Sequence, residues 1–304
     1  MIVGRRPTRG PVAVLAVLAA ATLGGCLDVA VPSTSPTVAP TPEPTPVTIT
    51  YQLNATVWYE GLLVHVDSAA ATLDQRGGPV EVRLRLENPG DDDSDLSARI
   101  LLQVDAGAAP PVAPTRDSRV PTVPAKGIVG AVMTYDLQGV ASVAGAVIHI
   151  GEAPNHVALI PLTAAGGAPE TFEPVAVAVS GRGDAADLRI TLRTGEIRWD
   201  LPDWSLELPS DVEALTLTYD VTYLGNFTGG FAFTGNNVAL KLPDGKIVEA
   251  RRDGHSQSIE LIGAGSTKRA LFTRFEVPSG LTGKFALLVR NGSARRTISF
   301  MVKS

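Results

Sequence analysis

The sequence predicts an all-β protein made of antiparallel sheets, arranged as two β-sandwiches that follow an N-terminal leader and a proline-rich linker. Short runs of alternating apolar and polar residues recur along most of the 304 residues, separated by turns rich in glycine and proline. Hydrophobic residues make up 44% of the chain and aromatic residues only 5%. Valine, leucine and threonine are plentiful, which favours strands over helices. Apolar residues at helical spacing are lacking throughout the sequence.

The start of the chain has the order of a secretory signal peptide. Arg5, Arg6 and Arg9 precede an apolar run, PVAVLAVLAAATL, which two glycines follow. This run is shorter than the roughly 20 residues that a membrane-spanning helix requires. We therefore predict that residues 1–25 are a signal peptide that is removed from the mature protein.

The only cysteine, Cys26, ends this segment in the sequence Leu23-Gly24-Gly25-Cys26. The four residues resemble the bacterial lipobox, in which an aliphatic residue and two small residues precede an obligate cysteine. The resemblance implies that Cys26 receives a diacylglycerol thioether and becomes the first residue of a membrane-anchored lipoprotein. The alternative is a structural cysteine, buried as a small hydrophobic residue of a helix. A single cysteine excludes an intramolecular disulfide and any multi-cysteine zinc site.

Residues 26–46 form a linker of proline, serine, threonine, valine and alanine. Such a tract cannot bury a core, and its closely spaced prolines favour the extended polyproline II conformation. At about 3.1 Å per residue, twenty residues would reach roughly 60 Å when fully extended. The linker is therefore predicted to be a stalk between the lipid and the folded part. Its prolines are Pro32, Pro36, Pro40, Pro42, Pro44 and Pro46.

Residues 47–165 are predicted to be the first sandwich. The run VEVRLRLEN places Val80, Val82, Leu84 and Leu86 on one face of a strand and charged residues on the other. A turn, NPGDDDSD, follows it. The runs LSARILLQV, IVGAVMTYDL, GAVIHI and HVALIPL supply further strands.

Residues 170–304 repeat this order and are predicted to be the second sandwich. The run ALTLTYDVTYLG corresponds to VEVRLRLENPG, VALKLPDGKIVEA to the ARILLQV strand, and GAGSTKRALFTRFEVPSGL to PAKGIVGAVMTYDLQGV. A fourth pair matches WYEGLLVHV around Gly61 with LRTGEIRWD around Gly195. Four matches in one order indicate duplication, with the boundary in TAAGGAPET at residues 163–171.

These strands resemble the bacterial extracellular immunoglobulin-like domains of unknown function that are common in lipoproteins. That group is related in fold to a secreted mycobacterial immunoprotective antigen. The resemblance rests on Val82, Leu84 and Asn88 in one strand, and on two hairpins: Leu242-Pro243-Asp244-Gly245 and the weaker match Val104-Asp105-Ala106-Gly107. The second copy lacks the terminal asparagine. The resemblance implies tandem immunoglobulin-like sandwiches in an extracellular interaction or structural module, and it carries over no catalytic residue.

Two loops are candidate binding sites. The carboxylates of Asp91, Asp92, Asp93 and Asp95 are dense enough to suggest a cation site such as one for calcium, but the loop lacks the EF-hand pattern. The alternative is a solvated turn between strands.

The second loop is bracketed by Trp199 and Trp204. If exposed at the end of a sandwich, these side chains could stack on a sugar ring or anchor a protein partner. The alternative reading is core packing. A further aromatic loop, NFTGGFAF, begins at Asn226 and could contribute to the same end or to the opposite one.

Catalytic motifs are missing from the sequence, so we predict a protein that is not an enzyme and that needs no cofactor. The four histidines are not part of a zinc-protease, serine-hydrolase or phosphate-loop motif. His149 and His156, with Glu152 nearby, flank a turn and are the best metal candidates. Two histidines on a hairpin are more often solvated or half-buried, so no metal site is assigned.

The charge balance excludes a nucleic-acid partner. The formal net charge is -5, and removal of the leader would leave an even more acidic chain. We expect a non-enzymatic, lipid-anchored protein on the extracytoplasmic side of the membrane of the cell envelope, which presents its sandwiches to a protein or a cell-wall polymer. The alternative is an extracytoplasmic carbohydrate- or solute-binding module.

Overall fold

The computed structural model describes residues 46–105, 110–252 and 258–303. The predicted signal peptide, Cys26 and all of the linker except Pro46 lie outside the described residues. Within them the chain forms twenty β-strands and three short 3-10 helices. Every strand pairing is antiparallel, which confirms the all-β class and the antiparallel sheets. In the described part of the chain, no helix has the length and apolar character that crossing a bilayer would require.

The first half of the described chain contributes seven strands. They are β1 (Val47–Tyr59), β2 (Leu62–Leu73), β3 (Gly77–Glu87), β4 (Ile100–Gln103), β5 (Ile128–Gln138), β6 (Val147–Ile150) and β7 (Ala158–Pro161).

These strands form two sheets whose facing side chains meet in one hydrophobic core. One sheet has the order β1-β2-β3-β5 and the other β4-β6-β7. The core cluster contains side chains of both sheets, among them Val82, Tyr135 and Ile148, all fully buried. Burial alternates along β3, where Val80, Val82, Leu84 and Leu86 are inside, as predicted. The charged residues between them lie on the exposed face.

The second half contributes thirteen strands. They are β8 (Val175–Val177), β9 (Arg182–Ala185), β10 (Leu188–Arg198), β11 (Asp200–Leu201), β12 (Leu206–Glu207), β13 (Val212–Tyr223), β14 (Phe231–Phe233), β15 (Val238–Lys241), β16 (Ile247–Glu249), β17 (Glu260–Ile262), β18 (Thr267–Pro278), β19 (Gly283–Asn291) and β20 (Ala294–Val302).

The two large sheets of the second half repeat the strand order of the first half. The order β8-β10-β13-β18, with β9 also paired to β10, corresponds to β1-β2-β3-β5. The order β15-β19-β20, extended by β16, corresponds to β4-β6-β7. A second hydrophobic core lies between these sheets and includes Leu217, Phe275 and Phe285. Two short ribbons, β11-β12 and β14-β17, have no counterpart in the described part of the first half.

Three of the four sequence matches fall on corresponding strands: β3 with β13, β4 with β15, and β5 with β18. The fourth does not, because Gly61 lies in the turn between β1 and β2 whereas Gly195 lies inside β10 and pairs with Leu217. The segment predicted to separate the halves is also packed. Glu170 pairs with Leu159, and Phe172, the first residue after the segment, lies against the first core.

Candidate functional site

A cluster of buried polar side chains lies where the turn between β1 and β2 meets the ribbon β11-β12. Only Glu60 and Gly61 separate the two strands of this hairpin, and both have positive φ, at 51° and 85°. A two-residue hairpin with positive φ at both positions matches the right-handed twist of its strands. The turn is consequently tight enough to project its backbone amides toward the second half.

These amides are bound by carboxylates of the ribbon. The Gly61 amide donates to Asp200 Oδ2 at 2.8 Å, and the Glu60 amide donates to Glu207 Oε2 at 3.3 Å. Asp200 and Glu207 are cross-strand partners, so their side chains lie side by side. Glu60 in turn uses its own carboxylate to accept hydrogen bonds from the amide and the hydroxyl of Ser97, at 2.6 and 2.7 Å. The halves are therefore joined by two buried hydrogen bonds, of which the one to the Asp200 carboxylate is charge-assisted.

Arg198 balances the charge of this cluster. Its Nε donates to Asp200 Oδ1 at 2.7 Å and its Nη2 to Asp200 Oδ2 at 3.1 Å, which makes a bidentate pair. The guanidinium also lies 4.9 Å from the ring centre of Trp58, a residue of β1. Arg198 thus contacts both halves through a charge pair and a cation–π interaction.

Glu207 remains without a cation of its own. Burial, with the neighbouring Asp200 carboxylate, raises the pKa of Glu207 to about 9. The carboxyl group is therefore protonated at neutral pH. Its Oε1 has no hydrogen-bond partner in the structure. Protonation explains how a carboxyl group can stay at this position beside the charged Asp200.

His156 completes the contact between the halves. Its Nδ1 lies 2.9 Å from the Leu208 carbonyl, which can only accept, so Nδ1 carries the proton. Burial lowers the pKa of His156, so the ring is neutral. The 3.8 Å separation between Nδ1 and Glu207 Oε1 is too long for a hydrogen bond. The Tyr59 hydroxyl donates to the His156 carbonyl at 2.7 Å.

An open acidic cleft of about 230 Å³ lies beside this joint. One wall is the loop at residues 90–94, and the other is formed by Pro202, Asp203 and Ser205. The hydroxyls of Ser94 and Ser205 lie 2.8 Å apart and connect the walls. The cleft offers carboxylate, hydroxyl and backbone groups, which suit a ligand rich in hydrogen-bond donors.

The predicted cation loop forms part of this cleft. Asp91, Asp92 and Asp93 line it, whereas Asp95 does not. Asp91 pairs with the Lys126 ammonium at 3.0 Å, and Asp93 accepts from the Ala125 amide at 3.0 Å. Among the described residues, no group of three or more His, Cys, Asp or Glu side chains is placed to hold a metal ion.

The two tryptophans that bracket the predicted binding loop have different surroundings. Trp199 is half-buried against the second core, and its ring lies 5.7 Å from the ring of Phe172 and 6.4 Å from that of His156. Trp204 is 51% exposed and stands in sequence between two residues that line the cleft. The loop at residues 199–204 therefore contributes one side chain to packing and one to the surface near the cleft. In the other aromatic loop, Phe227 is 64% exposed whereas Phe233 is buried.

The two histidines considered for a metal site lie in different settings. His149 is in β6, where its cross-strand neighbours are Leu101 and Leu159. His156 faces the second half, as described above. The fourth histidine, His255, lies outside the described residues.

Sequence reasoning missed the carboxylates that join the halves. Glu60, Asp200 and Glu207 stand singly among apolar residues, and each resembles an ordinary surface charge. The one usable signal was the pair Glu60-Gly61 between two strand-like runs, which is typical of a two-residue hairpin. No protein-family model matches the chain, and no curated protein matches it.

Proposed function

We propose that the chain is a non-enzymatic lipoprotein of the bacterial cell envelope, with two tandem immunoglobulin-like sandwiches that present a binding cleft to a partner. The anchor would be a lipid on Cys26, and residues 26–46 would be the stalk. The bacterial immunoglobulin-like domains described above are the group that the strands resemble. The repeated sheet order in the two halves supports duplication of one such unit.

The acidic cleft is the observation that carries the proposal. The two loops singled out in the sequence, which are more than 100 residues apart, meet there on a scaffold held by buried hydrogen bonds. Glu207, the carboxyl group whose pKa is strongly raised, binds a backbone amide inside the joint and does not line the cleft. This arrangement suits a rigid recognition surface better than proton-transfer chemistry.

The anchor is tested by metabolic labelling with radioactive palmitate in a bacterial host. We expect label on the wild-type chain, no label on a Cys26→Ala variant, and unchanged label on a Ser35→Ala control in the linker. The reason is that only the thiol of Cys26 can form the thioether. Label that persists in Cys26→Ala, or an unlabelled wild type, would disprove the lipoprotein assignment.

The exposed Trp204 favours a second candidate, a carbohydrate-binding module. A sugar could stack on the indole ring while the carboxylates of the cleft accept hydrogen bonds from its hydroxyls. On a glycan array we expect Trp204→Ala to lose at least tenfold in affinity for a bound glycan. Phe227→Ala removes an aromatic side chain that is even more exposed, from a different loop, and should bind like the wild type. Equal binding by all three proteins would exclude this loop from recognition.

A further inference from the structure

The outward face of the sheet β16-β15-β19-β20 is strongly basic in an otherwise acidic protein. That face carries four cationic side chains but only one carboxylate, Glu249. Glu249 is already neutralised, because both terminal nitrogens of Arg290 donate to it at 2.7 and 2.8 Å. The whole chain, by contrast, has a net charge of -5. The cations of this face are Lys241, Lys284, Arg290 and Arg295, whereas Arg296 is the partner of the buried Val289 and lies on the inner face.

A groove of about 300 Å³ crosses this face between two exposed lysines. Lys241 is the cross-strand partner of Ala286, and Lys284 lies two residues before Ala286 on β19. The lysines are therefore diagonal neighbours, about 7–8 Å apart at the backbone. In the described part of the chain, no carboxylate lies within salt-bridge distance of either ammonium group.

The floor of the groove adds hydroxyl donors. The exposed Thr297 and Ser299 line it from β20, and Ser299 is the direct partner of Ala286. The small side chain of Ala286 leaves the space between Lys241 and Ser299 open. The groove thus presents two ammonium groups and two hydroxyls, and none of its lining residues is acidic.

We propose that this groove binds an anionic polymer whose charges are phosphodiesters. Each phosphate has non-bridging oxygens that can accept from several donors at once, and lysine is a common phosphate-binding residue. A groove open at the sheet surface admits a strand of polymer, and lysines at diagonal spacing can contact neighbouring phosphates. This deepens the proposed function, since it rests on an extracytoplasmic location and names one class of envelope polymer.

The test uses the full chain, solubilised in a non-ionic detergent, and synthetic poly(glycerol phosphate) as the probe. We expect wild type to bind the probe, and Lys241→Gln/Lys284→Gln to bind at least tenfold more weakly. The dependence of log K on log salt should become shallower by about 1.4, because two phosphate contacts are lost. A control, Arg83→Gln/Arg119→Gln, removes two exposed cations elsewhere and should bind within twofold of wild type.

Five results would overturn the proposal. The first is equal binding by wild type and the lysine double variant, and the second is an equal loss in the control. The third is equal affinity for poly-L-glutamate, and the fourth is full competition by orthophosphate at the same phosphate concentration. The fifth is binding to detergent micelles that contain phosphatidylglycerol but not to the polymer, which would make the surface a membrane contact. Since binding is measured on purified protein, a negative result here is independent of the palmitate result.

Discussion

At the scale of single residues, the position of Gly61 in the joint leaves no room for a side chain. It has a φ of 85°, and a Cβ added there would lie 2.6 Å from the backbone Cα of Pro202. The residue therefore serves both the hairpin and the contact with the other half. A side chain would have to push the two halves apart, because backbone atoms cannot rotate away as a flexible side chain can.

We predict that Gly61→Ala lowers the free energy of unfolding by about 2–4 kcal/mol. The loss combines the strain of alanine at positive φ with displacement of Pro202. The measurement is equilibrium denaturation in urea, followed by tryptophan fluorescence.

Gly245→Ala is the matched control. Gly245 has a φ of 91°, and a Cβ added there would meet open space, so the same substitution should cost only about 1 kcal/mol. Equal losses in the two variants would show that contact with Pro202 contributes nothing.

At the scale of elements, the long strands and their buried faces can be predicted from the alternation of apolar and polar residues. The period-two alternation in β3 and β5 predicts which side chains are buried, because neighbouring residues of a strand point to opposite faces. The turn between β15 and β16 follows from Pro243, Asp244 and Gly245, and the Gly245 amide donates to the Leu242 carbonyl. The ribbon β11-β12 was not predicted, since two-residue strands have no period to detect.

Through Glu207, the ribbon β11-β12 makes the free energy of unfolding depend on pH. The folded pKa of Glu207 is about 9, above its ordinary value of 4.5, so the folded chain keeps a proton that the unfolded chain has lost. The contribution of this proton to stability is complete below pH 4.5 and disappears as the pH rises through 9. Between pH 7 and 9 the free energy of unfolding should fall by about 2 kcal/mol from this group. His156, whose pKa is lowered, affects stability below pH 6.5 instead.

We predict that Glu207→Gln abolishes this fall in the free energy of unfolding between pH 7 and 9, because glutamine resembles the protonated acid at every pH. Urea denaturation at pH 7, 8 and 9 should give a falling stability for wild type and a flatter one for the variant. Glu213→Gln is the control, since Glu213 is equally buried but accepts from the Gly280 amide and the Ser279 hydroxyl. The free energy of unfolding of Glu213→Gln should fall with pH as steeply as that of the wild type. Parallel curves for wild type and Glu207→Gln would contradict a buried protonated Glu207.

At the scale of the whole molecule, the described residues belong to one compact unit with two hydrophobic cores. The contact between the halves combines a hairpin turn, a ribbon, and the aromatic cluster of His156, Phe172 and Trp199. This contact shapes the acidic cleft, since one wall comes from each half. The cleft therefore depends on the halves keeping one relative arrangement.

The sequence by itself determined the all-β class, the faces of the long strands and most of the matching between the halves. These features are local: alternation, turn residues and composition act over a few neighbouring positions. Only the tertiary structure decided that the Asp91–Asp93 loop and the Trp204 loop share one cleft, and that Glu60, Asp200 and Glu207 hold the joint. It also decided that the lysines of β15 and β19 flank one groove. Such sites join residues far apart in the chain, and their positions depend on how the sheets pack.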